Sequence, residues 1–237
     1  MHRPAVFVVV LALSAASAPG SLAQPASAAS FPKPDRPVAN IVSPRWSDDA
    51  DRDRVDESGQ IAAALSVKNG MTIADIGAGS GYHTMRLSPL VGPAGRIYAE
   101  DVIPSYLDAL EQDVRRRGLA NVTVVRGTPD DPKLPAGKLD AAIMVHMYHE
   151  IQQPYALLWG IVPAFKPGGR LLIVDQEAPT ASHGTPPALL RCELAAVGYR
   201  QLSFSHLKND AAYVAVFEVP ALTARPAPGA IKACKGD

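Results

Sequence analysis

Cysteine, aromatic residues and an excess of either charge are all scarce in this sequence. Its 237 residues include two cysteines, 6% aromatic residues, and 23 basic residues against 23 acidic ones. The balanced charge argues against nucleic acid as a partner and leaves no polybasic tail. A hydrophobic fraction of 47% is enough for the core of one globular domain. We therefore expect a single domain that acts on a small molecule.

The two cysteines have no spacing typical of a metal site. Cys192 lies in an apolar helical pattern, which predicts a buried thiol, and Cys234 lies in a terminal segment expected to fray. In an oxidising compartment the two could instead pair. The sequence leaves this pairing open.

Long hydrophobic runs are also lacking, and the apolar run near the N-terminus is too short to span a membrane. It covers residues 5–13, follows Arg3, and precedes small residues that end in Ala26-Ser27-Ala28. This is the layout of a secretory signal peptide over residues 1–28. It predicts a periplasmic or secreted protein. If the segment is not cleaved, the protein would be anchored at the inner membrane or cytoplasmic, and only a retained segment would contact a membrane.

The rest of the chain divides by composition. Residues 29–54 are predicted to form a Pro/Ala-rich linker and N-terminal arm, residues 55–220 the domain, and residues 221–237 a disordered tail. An amphipathic helix is expected to run from the charged stretch that begins near Arg45 to the Asn69-Gly70 stop. The oligomeric state is not readable from the sequence.

Short branched apolar runs alternate with helical patterns after Asn69-Gly70. The runs are MTIADI, RIYAED, VTVVR, LDAAIMV and GRLLIVD, and the helical patterns cover residues 82–91, 104–117, 152–165 and 186–197. This order predicts an α/β fold with a parallel sheet covered on both faces. Two last runs around Asn209-Asp210 predict an antiparallel hairpin. The expected fold class is therefore α/β, a Rossmann-like doubly wound seven-stranded sheet, mostly parallel, with a C-terminal antiparallel hairpin.

The turn after the first strand, ADIGAGSGYHT, places Asp75 before Gly77, Gly79 and Gly81. Glycines at this turn allow positive φ and a close approach of the backbone to a ligand. A dinucleotide fingerprint G-x-G-x-x-G would need glycine where Tyr82 stands. Alone, the motif also fits a glycine-rich turn without a ligand.

The motif D-x-G-x-G-x-G resembles the first motif of class I S-adenosyl-L-methionine (SAM)-dependent methyltransferases. Small-molecule members related to quinone-biosynthesis and methyltransferase type 11 proteins look most similar. The resemblance runs from about Val55 to Val219 and includes the turn Lys166-Pro167-Gly168-Gly169. It implies SAM as cofactor, methyl transfer to a small-molecule acceptor, and a cofactor site at Asp75, Gly77, Ala78, Gly79 and Gly81.

Two further strand ends extend the expected cofactor site. The second strand ends in Glu100-Asp101, and similarity to the family pattern makes Asp101 the acid that binds the ribose hydroxyls. Glu100 is then expected to be a solvated partner of a nearby arginine. After the third strand many relatives have Gly-Asp, whereas this chain has Gly127-Thr128. Either Thr128 or Asp130 is expected to meet the adenine.

Candidate catalytic residues follow the fourth strand, in HMYHE: His146, Tyr148 and His149. A histidine near neutral pKa can act as a general base. The spacing of His146 and His149 also permits a metal pair, but only if fifth-strand acids or His183 converge on it, and we expect no metal. The alternative is that Tyr148 and His149 only pack under the cofactor.

Two other functions remain open. One alternative is a non-catalytic exported module with a methyltransferase-like fold that binds a nucleoside or SAM. This alternative gains weight from the signal peptide, since SAM is made inside cells. A weaker alternative is an NAD dehydrogenase. The sequence does not identify the methyl acceptor.

Overall fold

The structure is a computed structural model that describes residues 30–41 and 49–236. The predicted signal peptide lies outside the described residues, as do Arg45 and Trp46 of the predicted N-terminal arm. Within the described part of the chain, no helix is long and apolar enough to cross a membrane.

Seven strands form one sheet in the order β3-β2-β1-β4-β5-β7-β6. Strand β7 is antiparallel to both β5 and β6, and all other neighbours are parallel. This confirms the predicted doubly wound sheet with a C-terminal antiparallel hairpin. The strands are β1 Thr72–Ile76, β2 Arg96–Asp101, β3 Val122–Arg126, β4 Leu139–Val145, β5 Phe165–Gln176, β6 Arg200–His206 and β7 Ala212–Glu218.

Five of the six α-helices in the described residues cover the sheet, and the two buried clusters lie on its opposite faces. Helices α2, α3 and α4 pack on one face and α5 and α6 on the other, because each presents an apolar stripe to the branched residues of the central strands. The helices are α1 Asp49–Arg54, α2 Glu57–Leu65, α3 Tyr82–Val91, α4 Pro104–Arg116, α5 Pro154–Ile161 and α6 Pro187–Val197.

Two predicted helices differ from those observed. The helix expected through the charged stretch is split into α1 and α2, because Asp56 adopts the left-handed conformation with φ of 52°. The helix expected to reach residue 165 ends as α5 at Ile161, where a 3-10 turn containing Pro163 takes over.

The C-terminal segment is ordered through residue 236, which corrects the expected disordered tail. Cys234 forms a disulfide with Cys192 of α6, and its N–H donates to the Tyr155 hydroxyl at 2.7 Å. The N–H of Gly236 donates to the carbonyl of Asp35 at 2.8 Å. The sequence does not predict this packing, because the contacts join residues that are far apart in the sequence.

Candidate active site

A cavity of about 180 Å³ opens at the carboxyl ends of the central parallel strands. Residues from the ends of β1, β2, β4 and β5 line it, including Asp75, Asp101, His146 and Gln176. The strand order reverses between β1 and β4, which is the topological switch point where open α/β sheets bind ligands. The fold therefore puts the predicted cofactor motif at its expected ligand site.

The three glycines of the first turn all adopt positive φ. The angles are 69° at Gly77, 55° at Gly79 and 83° at Gly81. A Cβ on Gly81 would also lie 2.3 Å from Leu110 Cδ1, so helix α4 packs directly against the bend. Glycine is required here for both conformation and space.

Asp101 holds this bend in place. Its Oδ2 accepts a hydrogen bond from the Gly79 N–H at 2.9 Å, and its Oδ1 accepts one from the Ile103 N–H at 2.9 Å. Asp101 is buried and lines the cavity. A carboxylate has about four acceptor positions, so each oxygen retains capacity for a ligand hydroxyl.

Burial raises the pKa of two further acids in the cavity. Burial, only partly offset by the hydrogen bond that the Thr84 hydroxyl donates at 2.6 Å, raises the pKa of Asp75 to about 6. Burial and the nearby charge of Asp101 raise the pKa of Glu100 to about 8. The expectation of a solvated Glu100 is wrong, because the side chain lies in the cavity between the glycine bend and Gly127, where an added Cβ would lie 1.9 Å from Glu100 Oε1.

Thr128 and Asp130 occupy different positions. Thr128 lines the cavity, whereas Asp130 does not; the Thr128 hydroxyl donates to Asp130 Oδ1 at 3.0 Å. The backbone of Thr128 also pairs with that of Asp131. The Asp130 carboxylate therefore accepts a hydrogen bond within its own turn, and of these two residues only Thr128 reaches the cavity.

The three predicted catalytic residues point in three directions. Tyr148 does not line the cavity; its hydroxyl donates to Glu193 Oε2 at 2.8 Å in the core, which removes it from the catalytic candidates. His146 lines the cavity, but its Nε2 lies 2.6 Å from Glu57 Oε1 of helix α2. The metal pair of His146 and His149 that their spacing permits is thus not formed.

His149 is held by a buried carboxylate. Its Nδ1 lies 2.9 Å from Asp175 Oδ1, and the same carboxylate accepts hydrogen bonds from the Thr185 hydroxyl at 2.7 Å and from the Gln176 N–H at 2.9 Å. Asp175 thus acts as an acceptor throughout, which assigns the ring proton of His149 to Nδ1. Nε2 is left as the lone-pair nitrogen of a cavity-lining ring.

The N-terminal arm fixes the backbone beneath this histidine. The carbonyl of His149 accepts hydrogen bonds from the Ala39 N–H at 3.1 Å and from the Arg36 guanidinium at 3.4 Å. Arg36 is itself paired with Glu193 at 2.9 Å, and both side chains are fully buried. The arm is therefore more than the predicted linker, because it supports the backbone of His149.

Helix α1 supplies the cation of the cavity. Arg52 is the only lysine or arginine among its described lining residues; it binds Glu57 at 2.5 Å and stacks on the Tyr82 ring. Arg52 also donates to His83 Nε2 at 2.7 Å, so the proton of His83 is on Nδ1. Burial and the Arg52 charge hold the pKa of His83 well below its ordinary value, so the ring is neutral.

Comparison with known proteins identifies the domain. Residues 73–169 match the family profile described as "Methyltransferase domain". The domain belongs to the class I SAM-dependent methyltransferases. The chain is 31% identical over 116 residues to a protein-L-isoaspartate O-methyltransferase of Ignicoccus hospitalis, covering 49% of this chain and 52% of that protein. It is 24% identical over 144 residues to a demethylmenaquinone methyltransferase of a Geobacillus species, covering 61% and 55%.

Solved structures of methyltransferases share the fold. A SAM-dependent methyltransferase from Aquifex aeolicus aligns with a TM-score of 0.65 at 22% identity, covering 73% of this chain and all of that one. A protein of Bordetella parapertussis, described as a possible exported protein, aligns with a TM-score of 0.58 at 15% identity, covering 72% and 68%. The chain spans about half the length of the curated relatives it matches.

The cavity of this methyltransferase domain fits the cofactor that its family implies. The glycine bend exposes backbone, and Asp101 and Glu100 lie beside it. The buried Nδ1 of His83 has no hydrogen-bond partner among the described residues, although it carries a proton. A ligand with an anionic group next to helix α3 would satisfy this donor, and SAM carries a carboxylate.

Proposed function

We propose that this protein transfers a methyl group from SAM to a small-molecule acceptor. The observation that carries the proposal is the Gly79 N–H bonded to Asp101 within a bend of three positive-φ glycines, at the cavity mouth. Bound SAM would supply a methyl group activated by its sulfonium. The residues of the chain would bind, orient and enclose the reactants, which is the main catalytic need of an in-line transfer.

The cofactor half of the cavity is assigned from the predicted residues that line it. Asp101 would accept hydrogen bonds from the ribose hydroxyls, and Thr128 would contact the adenine. The glycine bend and Asp75 would lie along the methionyl part, with His83 as an added donor to its carboxylate. The residues proposed for SAM are Asp75, Gly77, Ala78, Gly79, Asp101 and Thr128, which line the cavity, and Gly81, which shapes the bend without lining the cavity.

His149 is the proposed catalytic residue on the acceptor side. It is the only one of the three predicted candidates whose ring lines the cavity and is oriented by a fully buried carboxylate. A module that only bound a nucleoside would not need this second, oriented group. The limited cavity and the balanced charge support a small acceptor rather than nucleic acid.

Titration calorimetry tests the cofactor assignment. The protein should bind SAM and S-adenosylhomocysteine, and Asp101→Asn should weaken both by 10-fold or more, since one ribose acceptor is lost and the bend loses its charged partner. Asp130→Asn is the matched control, because that carboxylate lies outside the cavity. Equal affinities for the two variants would contradict the assignment.

Isotope transfer tests the reaction. With SAM carrying a deuterated methyl group, the label should enter the small-molecule fraction of a cell extract and not its protein or nucleic acid. His149→Asn should lower the rate by about 10²-fold or more while S-adenosylhomocysteine affinity stays unchanged. Tyr148→Phe should keep the rate. Label in the macromolecular fraction would contradict the small acceptor.

We also propose export to the periplasm or beyond. The disulfide between Cys192 and Cys234 supports it, because such bonds persist in oxidising compartments. Mass spectrometry of the protein from cell fractions should find a new N-terminus near residue 29 in the periplasmic or secreted fraction. An intact N-terminus in the cytosol would contradict export.

A further inference from the structure

A second group of ligand-type side chains lies on the acceptor side of the cavity. Each of His149, Glu150 and His183 offers one atom that could bind a metal ion, and these three atoms lie within 4.8 Å of one another. His149 Nε2 and Glu150 Oε1 are 4.0 Å apart, and the rings of His149 and His183 meet edge to face at 5.4 Å between centroids. All three residues line the cavity.

His149 has the surroundings of a metal ligand. Metal-binding histidines almost always donate their second ring N–H to a carboxylate or carbonyl, which fixes the ring and increases its basicity. Asp175 receives this N–H, and Thr185 and Gln176 bind Asp175 in turn. The nitrogen left with a lone pair is the one nearer Glu150.

The loop after β5 holds His183 rigidly over this nitrogen. The Gln176 carbonyl accepts hydrogen bonds from the N–H groups of Ala178 and Thr185, both at 2.9 Å. Gly184 packs so closely that an added Cβ would lie 2.6 Å from that carbonyl oxygen. His183 itself adopts φ of 56°, a conformation that non-glycine residues keep only when their surroundings enforce it.

We propose that His149, Glu150 and His183 bind a divalent transition-metal ion, with Asp175 positioning His149. Two histidines and one glutamate with an open position are the ligand set of catalytic zinc sites, and imidazole also suits iron, cobalt and nickel. Ligand atoms around zinc lie about 3.3 Å apart, so Glu150 and His183 must close by at most about 1.5 Å. This replaces the expectation of no metal, which rested on the need for fifth-strand acids or His183 to converge on the histidines of HMYHE.

The open coordination position would face the cavity shared with Asp101. A hydroxyl group bound there would have its pKa lowered and would lose its proton to water or buffer. Its oxygen would then form the new bond to the methyl carbon as the C–S bond of the SAM sulfonium breaks and S-adenosylhomocysteine leaves. In this step His149 would act as a metal ligand and not as a general base. This step rests on the proposed methyl transfer and assigns the acceptor as a hydroxyl compound. The binding of the metal does not depend on it.

Metal titration of the tag-free, chelator-treated protein tests the site directly. Zn²⁺ should bind with a 1:1 stoichiometry, and Co²⁺ should give visible absorption bands of a low-coordinate site. His183→Asn, which tolerates the left-handed backbone, and Glu150→Gln should each weaken Zn²⁺ binding at least 100-fold. Asp175→Asn should weaken it by about 10–100-fold.

The controls separate metal binding from folding and from the cofactor. His206→Asn removes an exposed histidine outside the cavity and should leave Zn²⁺ affinity within 2-fold. Affinity for S-adenosylhomocysteine should persist in His183→Asn, which shows that the variant is folded. Zn²⁺ binding that is absent, or equally strong in His183→Asn, would overturn the metal site. Failure of the unmodified protein to bind S-adenosylhomocysteine would instead contradict the proposed function.

Discussion

Glu100 is a residue whose surroundings in the structure differ from those that the sequence predicts. Strand alternation predicts that Glu100 and Asp101 point to opposite faces. At the end of β2, however, Asp101 turns back onto the Gly79 N–H, and Glu100 is enclosed between the same bend and Gly127. Both acids therefore reach the cavity, and Asp101 raises the pKa of Glu100 in addition to burial.

Stability should fall with rising pH because of Glu100. Its pKa is about 8 when folded and near its ordinary 4.5 when unfolded, so the folded state retains a proton that the unfolded state releases between these values. The free energy of unfolding should therefore decrease from about pH 4.5 to pH 8. Glu100→Gln should remove the Glu100 part of this slope, leaving the part that Asp75 contributes between about pH 3.8 and 6, and should gain up to a few kcal/mol over the unmodified protein at pH 8.

Urea unfolding of the cofactor-free protein at pH 5, 7 and 9 measures this slope. Glu111→Gln, an exposed glutamate on helix α4, is the matched control and should retain the pH dependence of the unmodified protein. Parallel pH profiles for the Glu100 and Glu111 variants would show that Glu100 is ionised in the folded state.

At the scale of elements, helix α2 is attached to the end of β4 by a partly buried hydrogen bond between Glu57 and His146. Burial alone would raise the pKa of Glu57, but the hydrogen bond from His146 and the charges of His146 and Arg52 lower it to about 2. This contribution to stability is complete above pH 4.5 and is lost as the pH falls toward 2.

His146→Asn should weaken this attachment. Asparagine tolerates the left-handed backbone at this position, where φ is 54°, so the main loss is the hydrogen bond to a charged group. We expect the free energy of unfolding at pH 6 to fall by about 1–3 kcal/mol. The difference from the unmodified protein should narrow between pH 4.5 and 2. A difference that stays constant over this range would contradict the Glu57 pairing.

The elements and the glycine bend were predictable because they depend on local patterns. Neighbouring residues in the sequence are enough to recognise the apolar runs and the glycines of the bend, Gly77, Gly79 and Gly81. The acceptor side was not predictable in the same way: Asp175 reaches His149 through tertiary packing, and His183 depends on how the loop after β5 folds back. Tyr148, one residue from His149, turned to Glu193 of helix α6 for the same reason.

At the scale of the whole molecule, the N-terminal arm and the C-terminal segment join beside the site. Phe31 of the arm packs edge to face on Trp159 with ring centroids 5.7 Å apart, and the Asp35 backbone pairs with Lys235. The arm continues to Arg36 and Ala39, which bind the backbone of His149. The C-terminal segment therefore stabilises the arm, and the arm supports the acceptor side of the cavity.

Loss of the disulfide should loosen this assembly. The bond closes a loop with a sequence separation of 42 residues, for which the stabilisation expected from the unfolded chain is about 2–4 kcal/mol. The double variant Cys192→Ala and Cys234→Ala should lose that amount of unfolding free energy, measured by urea unfolding. A reducing agent should lower the stability of the unmodified protein to a similar extent and should leave the double variant unchanged. Two free thiols in the denatured, unreduced protein would contradict the bond.

Because the arm contacts His149 rather than the glycine bend, S-adenosylhomocysteine affinity should be kept in the double variant while Zn²⁺ affinity falls.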